Sequence, residues 1–179
     1  MTSFTPVDET MTPTVFEKQP GAEFPVPPDV EPMQIHSERV VGEMIAGHSH
    51  AQTFSASRNR LKSVATRLAT YGRVNHGSMR FTLEQLEPTR LVHQEEFEMA
   101  EVKDNEWRVF QFAPVEDSAG KRFRLTLEAL QGSPGNALTI WYSNRNVYKG
   151  GEYFVDGRPS AGDLTLKVEY AAVTLSGAQ

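Results

Sequence analysis

The chain has 179 residues, of which 39% are hydrophobic, and it contains no cysteine. This length suffices for one domain with a proper core, and the lack of cysteine excludes a disulfide framework and a thiolate metal site. The net charge of −5 arises in residues 1–36, because the remaining residues carry seventeen acidic and seventeen basic side chains. Such a neutral domain argues against nucleic-acid binding.

Residues 1–36 are predicted to form an extended acidic tail or linker. Seven of the eleven prolines lie at or before Pro32, and proline removes backbone donors and holds the chain extended. The folded domain is predicted to span residues 37–172, followed by a C-terminal tail at residues 173–179. The N-terminus lacks the basic and apolar regions of a signal peptide, and no apolar run is long enough to span a bilayer. We therefore expect a cytoplasmic protein without membrane insertion.

Beyond the tail, the sequence has the period-two pattern of β-strands. Helical spacing occurs only in residues 37–47, where Gly42 weakens it. About nine strands are predicted, at residues 50–56, 60–71, 78–86, 90–100, 106–114, 121–130, 136–143, 151–157 and 163–171.

Two of these strands alternate most clearly between apolar and polar residues. Residues 78–86 place Met79, Phe81 and Leu83 on one face, and residues 121–130 do the same with another three apolar side chains, which are Phe123, Leu125 and Leu127. Amphipathic strands joined by short turns must bury their apolar faces against each other. The predicted fold is therefore all-β: an antiparallel, two-sheet β-sandwich, jelly-roll-like in arrangement.

The turn between the second and third predicted strands carries more polar side chains than a turn requires. Arg73 and Asn75 are candidate ligand-binding residues, because loops at the end of a rigid sandwich often bind ligands. The alternative is that Asn75 adopts a left-handed turn conformation and that Arg73 pairs with a nearby acidic residue.

No arrangement of residues in the sequence indicates catalysis. His48 and His50 would share a strand face and bind zinc only if His36, His76 or Glu43 supplied a third ligand. Glu96 and Glu98 share a face without a second marked carboxylate opposite them. We predict no enzymatic activity, no catalytic residues, no metal and no cofactor.

The aromatic residues are the stronger candidates for ligand binding. If Ile140 faces the core, Trp141 points outward or toward a rim, where an indole can stack on a sugar ring. The alternative is that a loop or the tail covers Trp141. Tyr148 and Tyr153 flank the glycines of Lys-Gly-Gly-Glu, which let the backbone approach a ligand or another strand. Trp107 is predicted to pack at one end of the sandwich.

Several short motifs occur in a familiar order. They are Gln52-Thr53-Phe54, Ala69-Thr70-Tyr71-x-Arg73-x-Asn75, Asp104-Asn105-x-Trp107, Asp117-Ser118-x-Gly120-Lys121, Gly150-Gly151-Glu152 and Gly162-Asp163-Leu164. In this order they resemble a noncatalytic, carbohydrate-binding-module-like jelly roll of bacterial glycosyltransferases and surface-polysaccharide proteins. The resemblance covers residues 40–171 and implies glycan recognition, but it supplies no catalytic residues and does not fix the ligand.

The leading hypothesis is a noncatalytic module that binds a glycan or polysaccharide through Trp141, Arg73, Asn75, Tyr148 and Tyr153. Its expected setting is bacterial surface-polysaccharide synthesis. The alternative is a structural or protein-docking β-sandwich whose N-terminal tail engages a partner or a second copy of the chain. Enzymatic action would require a deep pocket with paired carboxylates or with a histidine-bound metal.

Overall fold

The structure, a computed structural model, describes residues 29–173. Most of the predicted N-terminal tail and of the predicted C-terminal tail lies outside the described residues. Within them there is no α-helix, and no helix is long and apolar enough to cross a membrane. Residues 37–47, the one stretch with helical spacing, contain a two-residue strand and irregular backbone.

The described residues contain thirteen strands and one short 3-10 turn, joined by loops. The strands are β1 Val30–Gln34, β2 Arg39–Val40, β3 Ser49–Ser55, β4 Leu61–Ala69, β5 Ser78–Leu86, β6 Thr89–Glu98, β7 Trp107–Val115, β8 Arg122–Ala129, β9 Thr139–Ser143, β10 Tyr153–Val155, β11 Arg158–Ser160, β12 Asp163–Leu164 and β13 Leu166–Tyr170, with the 3-10 turn at Met99–Glu101.

The predicted count of about nine strands was too low. Three of the additional strands, β2, β11 and β12, contain only two or three residues, which cannot display an alternation that a sequence pattern would reveal. The predicted strand at 163–171 is divided at Thr165, whose N–H donates to the Trp141 carbonyl while its hydroxyl accepts the N–H of Arg67. β1 lies within the proline-rich segment and pairs with β13 at the edge of a sheet, where proline is tolerated.

The strands form two antiparallel sheets, consistent with a β-sandwich. The first sheet has the order β1-β13-β4-β9-β12, with β7 also paired to β4 and β2 to β9. The second sheet has the order β11-β10-β3-β8-β5-β6. Long-range pairing of this kind leaves each sheet with an inner face for the core and an outer face for solvent or a partner.

The inner faces are those that the alternation predicts. Met79, Phe81 and Leu83 of β5 are fully buried, as are three side chains of β8, which are Phe123, Leu125 and Leu127. They belong to one continuous apolar core between the sheets. The prediction of which side of these two strands faces inward is confirmed.

The outer face of the second sheet is covered by ion pairs. Arg80 of β5 contacts Glu96 of β6 and Glu128 of β8, with nitrogen–oxygen distances of 2.8 and 3.4 Å. Arg124 of β8 contacts Glu84 of β5 at 2.7 Å. These three contacts pair opposite charges across neighbouring strands, as expected for a solvated sheet face.

Candidate functional site

The outer face of the first sheet differs in chemistry because it carries both tryptophans. We call it the aromatic face, defined by residues that point away from the core: Val30, Ser63, Ala65, Arg67, Trp107, Val109, Trp141, Lys167 and Glu169. Ala65 of β4 pairs with Val109 of β7 on one side and with Lys167 of β13 on the other. Two residues further along β4, Arg67 pairs with Trp107 of β7.

Trp141 reaches the same face from β9. Leu68 of β4 pairs with Ile140 of β9, and both are fully buried in the core. Successive side chains of a strand point to opposite faces, so Trp141 points outward beside Arg67. The expectation that Trp141 faces away from the core when Ile140 faces inward is therefore met, and the indole is partly exposed.

Each indole is held in place by a cation. The ammonium nitrogen of Lys167 lies 4.0 Å from the Trp107 ring centroid, and the Arg67 guanidinium carbon lies 5.3 Å from that of Trp141. The Trp141 Nε1–H donates to Asn105 Oδ1 at 2.8 Å, and the Arg67 Nε–H donates to the Asn105 carbonyl at 2.8 Å. A loop thus orients Trp141 and contacts its edge without fully covering the ring.

Two shallow grooves meet at Trp107. One, of about 180 Å³, is lined mainly by Val30, Ala65, Trp107, Val109 and Lys167. The other, of about 340 Å³, extends from Trp107 along residues 101–109. Such a surface offers stacking area, apolar contact and cationic hydrogen-bond donors.

The position of Trp107 contradicts one sequence-based prediction, which was that this residue packs at the end of the sandwich. Phe110 is the fully buried side chain of β7, and Trp107 stands three positions before it. An odd separation along a strand places two side chains on opposite faces. Counting back from Phe110 would therefore have identified Trp107 as an outward residue.

The structure places Arg73 and Asn75 in contacts within the fold. Arg73 forms an ion pair with Glu43, and its Nε–H donates to Asn75 Oδ1 at 2.9 Å. The Asn75 amide donates to the Thr70 carbonyl at 3.1 Å, and Asn75 is only 1% exposed. The left-handed backbone in this loop belongs to Tyr71, Gly72 and Gly77, so the alternative conformation considered for Asn75 is wrong, whereas the acidic partner of Arg73 is present.

Tyr148 and Tyr153 pack against β3. The Tyr148 hydroxyl accepts the Ser55 N–H at 3.2 Å, and burial raises the pKa of this phenol. A Cβ at Gly151 would lie 1.8 Å from the Thr53 carbonyl oxygen. The glycines between the two tyrosines thus allow the backbone to approach another strand, which was one of the two alternatives considered.

Tyr153 points into the core, away from the aromatic face. Its ring packs against Tyr142 with centroids 5.7 Å apart, whereas the adjacent Trp141 points outward. The Tyr153 hydroxyl shares a hydrogen bond of 2.6 Å with His50 Nδ1 in a buried setting. Burial raises the pKa of Tyr153 and lowers that of His50 to about 4. The structure therefore does not bring Tyr153 together with Trp141.

A second buried polar group organises the same end of the sandwich. Asp163 is fully buried, and its Oδ2 accepts the N–H groups of Val147 and Tyr148 at 2.7 and 2.9 Å. Its Oδ1 accepts the amide N–H of Gln52 at 3.2 Å. Burial raises the pKa of this carboxyl group, and its bonds fix the loop that carries Tyr148.

Three of the residues considered for catalysis or zinc binding have other partners. Glu43 pairs with Arg73, Glu96 with Arg80, and His48 with Asp156, at 2.9 Å in the last case. Across residues 29–173, no group of three or more histidine, aspartate or glutamate side chains is arranged to hold a metal ion. The aromatic face, with its indoles, apolar groove and cationic donors, is therefore the candidate functional site.

Neither a scan against protein-family models nor a search of curated proteins finds a match to this chain.

Proposed function

We propose that the protein is a noncatalytic carbohydrate-binding module whose binding surface is the aromatic face. The observation that carries the proposal is that Trp107 and Trp141, which lie on different strands, are partly exposed on one sheet face with Arg67 between them. A flat aromatic ring can stack on the apolar side of a sugar ring. Such a side chain loses little conformational entropy on binding.

The contrast between the two outer faces supports this assignment. The second sheet presents matched ion pairs, whose contribution to binding or stability is small. The first sheet instead presents indoles, a valine-lined groove and cationic donors. Arg73 and Asn75 are engaged within the fold, so we place the binding energy on the indoles and assign the loop at most a supporting role.

The resemblance described above supplies the setting of the proposal. We propose a jelly-roll-like accessory module that recognises a glycan of bacterial surface-polysaccharide synthesis in the cytoplasm. Shallow sites of this kind exchange water hydrogen bonds for protein hydrogen bonds and gain little net free energy. We therefore expect dissociation constants in the micromolar to millimolar range.

A glycan array followed by isothermal titration calorimetry tests the proposal. We expect Trp107→Ala and Trp141→Ala each to weaken binding of the selected saccharide about tenfold, the equivalent of about 1.4 kcal/mol. Arg124→Gln, on the outer face of the other sheet, is the matched control and should bind like the wild type. Absence of saccharide binding, or unchanged affinity in both tryptophan variants, would refute the proposal.

A docking function through this face, and not through the N-terminal tail considered above, makes a different prediction for the same surface. The groove beside Trp107 includes Val30 and Val109, which are 42% and 48% exposed. If this face docks a second copy of the chain, light scattering of the full chain should show a defined oligomer that Trp107→Ala dissociates. A monomer at all concentrations that also binds saccharide would exclude that alternative.

A further inference from the structure

The two cations on the aromatic face have no carboxylate partner in the part of the chain that the structure describes. Among residues 29–173, neither Lys167 nor Arg67 takes part in a salt bridge. Their charged groups instead lie against the two indoles, and Arg67 additionally donates to a backbone carbonyl. On the opposite sheet, Arg80 and Arg124 are matched by glutamates. Lys167 and Arg67 thus give the aromatic face two positive charges that lie against indoles and not against carboxylates.

The groove of about 180 Å³ contains one of these cations, which lies over one face of the Trp107 ring. Lys167 and Trp107 both line this groove, with the ammonium nitrogen 4.0 Å from the ring centroid. The carboxylate that also lines the groove, Glu169, lies 2.9 Å from Lys62. Its charge is therefore already balanced, and Lys167 provides the uncompensated charge in the groove.

The adjoining groove carries charges of both signs. Glu101 and Glu106 line it together with Lys103 and Arg108, so its acidic and basic side chains are equal in number. Only the smaller groove brings a cation against the Trp107 ring, so a ligand that stacks on Trp107 would direct a negative substituent toward Lys167. Charge-assisted hydrogen bonds to an ammonium group are about twice as strong as neutral ones.

We propose that the aromatic face selects an acidic saccharide, with a sugar ring on Trp107 and its carboxylate bound by Lys167. This inference rests on the proposed function and names the ligand class of the same site. Single-stranded nucleic acid also combines stacking with negative charge, but its binding depends on many phosphate contacts. The domain carries seventeen charges of each sign after residue 36, which favours a ligand with few, spaced charges.

The test compares two matched probes by calorimetry of the full chain. They are tetragalacturonate and its carboxyl-reduced form, which has the same linkages but no charge. We expect the acidic probe to bind about tenfold more tightly than the reduced probe. Lys167→Gln should remove this preference, so that the acidic and the reduced probe bind the variant with equal affinity. Lys167→Arg should retain the preference, and the control Lys149→Gln, at an exposed lysine outside the face, should behave like the wild type.

The outcomes separate the two proposals. Equal affinity for both probes, or a preference that survives Lys167→Gln, overturns acidic-saccharide selection and leaves carbohydrate binding in place. If neither probe binds and the glycan array shows no other saccharide, both proposals fail. Tight binding of oligo(dT) that Trp107→Ala abolishes, without binding of either saccharide, would identify the face as a nucleic-acid surface and overturn both as well.

Discussion

Phe81 and Phe110 stack face to face between the two sheets, with ring centroids 3.9 Å apart and an interplanar angle of 3°. Phe81 belongs to β5 of the second sheet and Phe110 to β7 of the first. Both side chains are fully buried, and Phe97 tilts against Phe110 at 5.6 Å. This pair joins the two layers directly behind the strand that presents Trp107 on the outer face.

We predict that Phe110→Ala lowers the free energy of unfolding by about 3–5 kcal/mol, because it loses apolar burial and leaves a cavity between the sheets. Urea denaturation followed by tryptophan fluorescence measures the change. Phe112→Ala, which removes a partly buried ring at the margin of the core, is the control and should cost less. A larger loss for Phe112→Ala than for Phe110→Ala would contradict the described core.

Asp163 is expected to be a main structural determinant of the loop before β10. In Asp163→Asn, the oxygen can still accept the N–H groups of Val147 and Tyr148, but the new NH₂ group then faces the amide donor of Gln52. An unsatisfied buried donor costs about 1–3 kcal/mol. Chemical denaturation should show this loss, and Asp117→Asn, at an exposed carboxylate paired with Lys121, should leave the unfolding midpoint close to that of the wild type.

The buried His50 predicts a specific dependence of stability on pH. Burial lowers its pKa to about 4, with a smaller opposing contribution from Asp156 and a reinforcing one from His48. The unfolded imidazole titrates at about 6.5, so the unfolded chain binds the proton first as pH falls. The free energy of unfolding therefore keeps the full contribution of His50 above about pH 6.5. It decreases toward pH 4, by up to about 3 kcal/mol.

Thermal or urea unfolding between pH 4 and pH 7.5 checks this dependence. His50→Asn retains a polar partner for the Tyr153 hydroxyl but cannot take up the proton, so its stability should vary less with pH. His76→Asn changes an exposed histidine and should keep the slope of the wild type. An identical slope in His50→Asn would show that other groups cause the acid sensitivity.

Asn75→Ala separates a structural role of the loop from a binding role. The variant loses the acceptor for Arg73 and the donor to the Thr70 carbonyl. We predict a loss of about 1–3 kcal/mol in unfolding free energy and an unchanged affinity for the saccharide that the array selects. Val74→Ala, at a side chain that is 70% exposed in the same loop, is the stability control. Weakened binding at full stability would instead place the loop in the site.

Local pattern was sufficient to predict the fold class and the inward sides of β5 and β8. A strand repeats its environment every two residues, so Phe81 and Phe123 reveal their burial through neighbours two positions away. The short strands β2 and β12 contain two residues each and have no such pattern. Their pairing with β9 arises only when distant segments assemble.

The sequence by itself determined that the chain forms amphipathic strands and that Trp141 lies opposite Ile140 on its strand. Only the tertiary structure decided that Trp107 and Trp141 share one face and that Asn75 is buried. The shared face of the two tryptophans depends on the register of β4 with β7 and β9, which joins segments about forty to seventy residues apart. Register is set by the packing of complete sheet faces, and no local stretch of sequence contains that information.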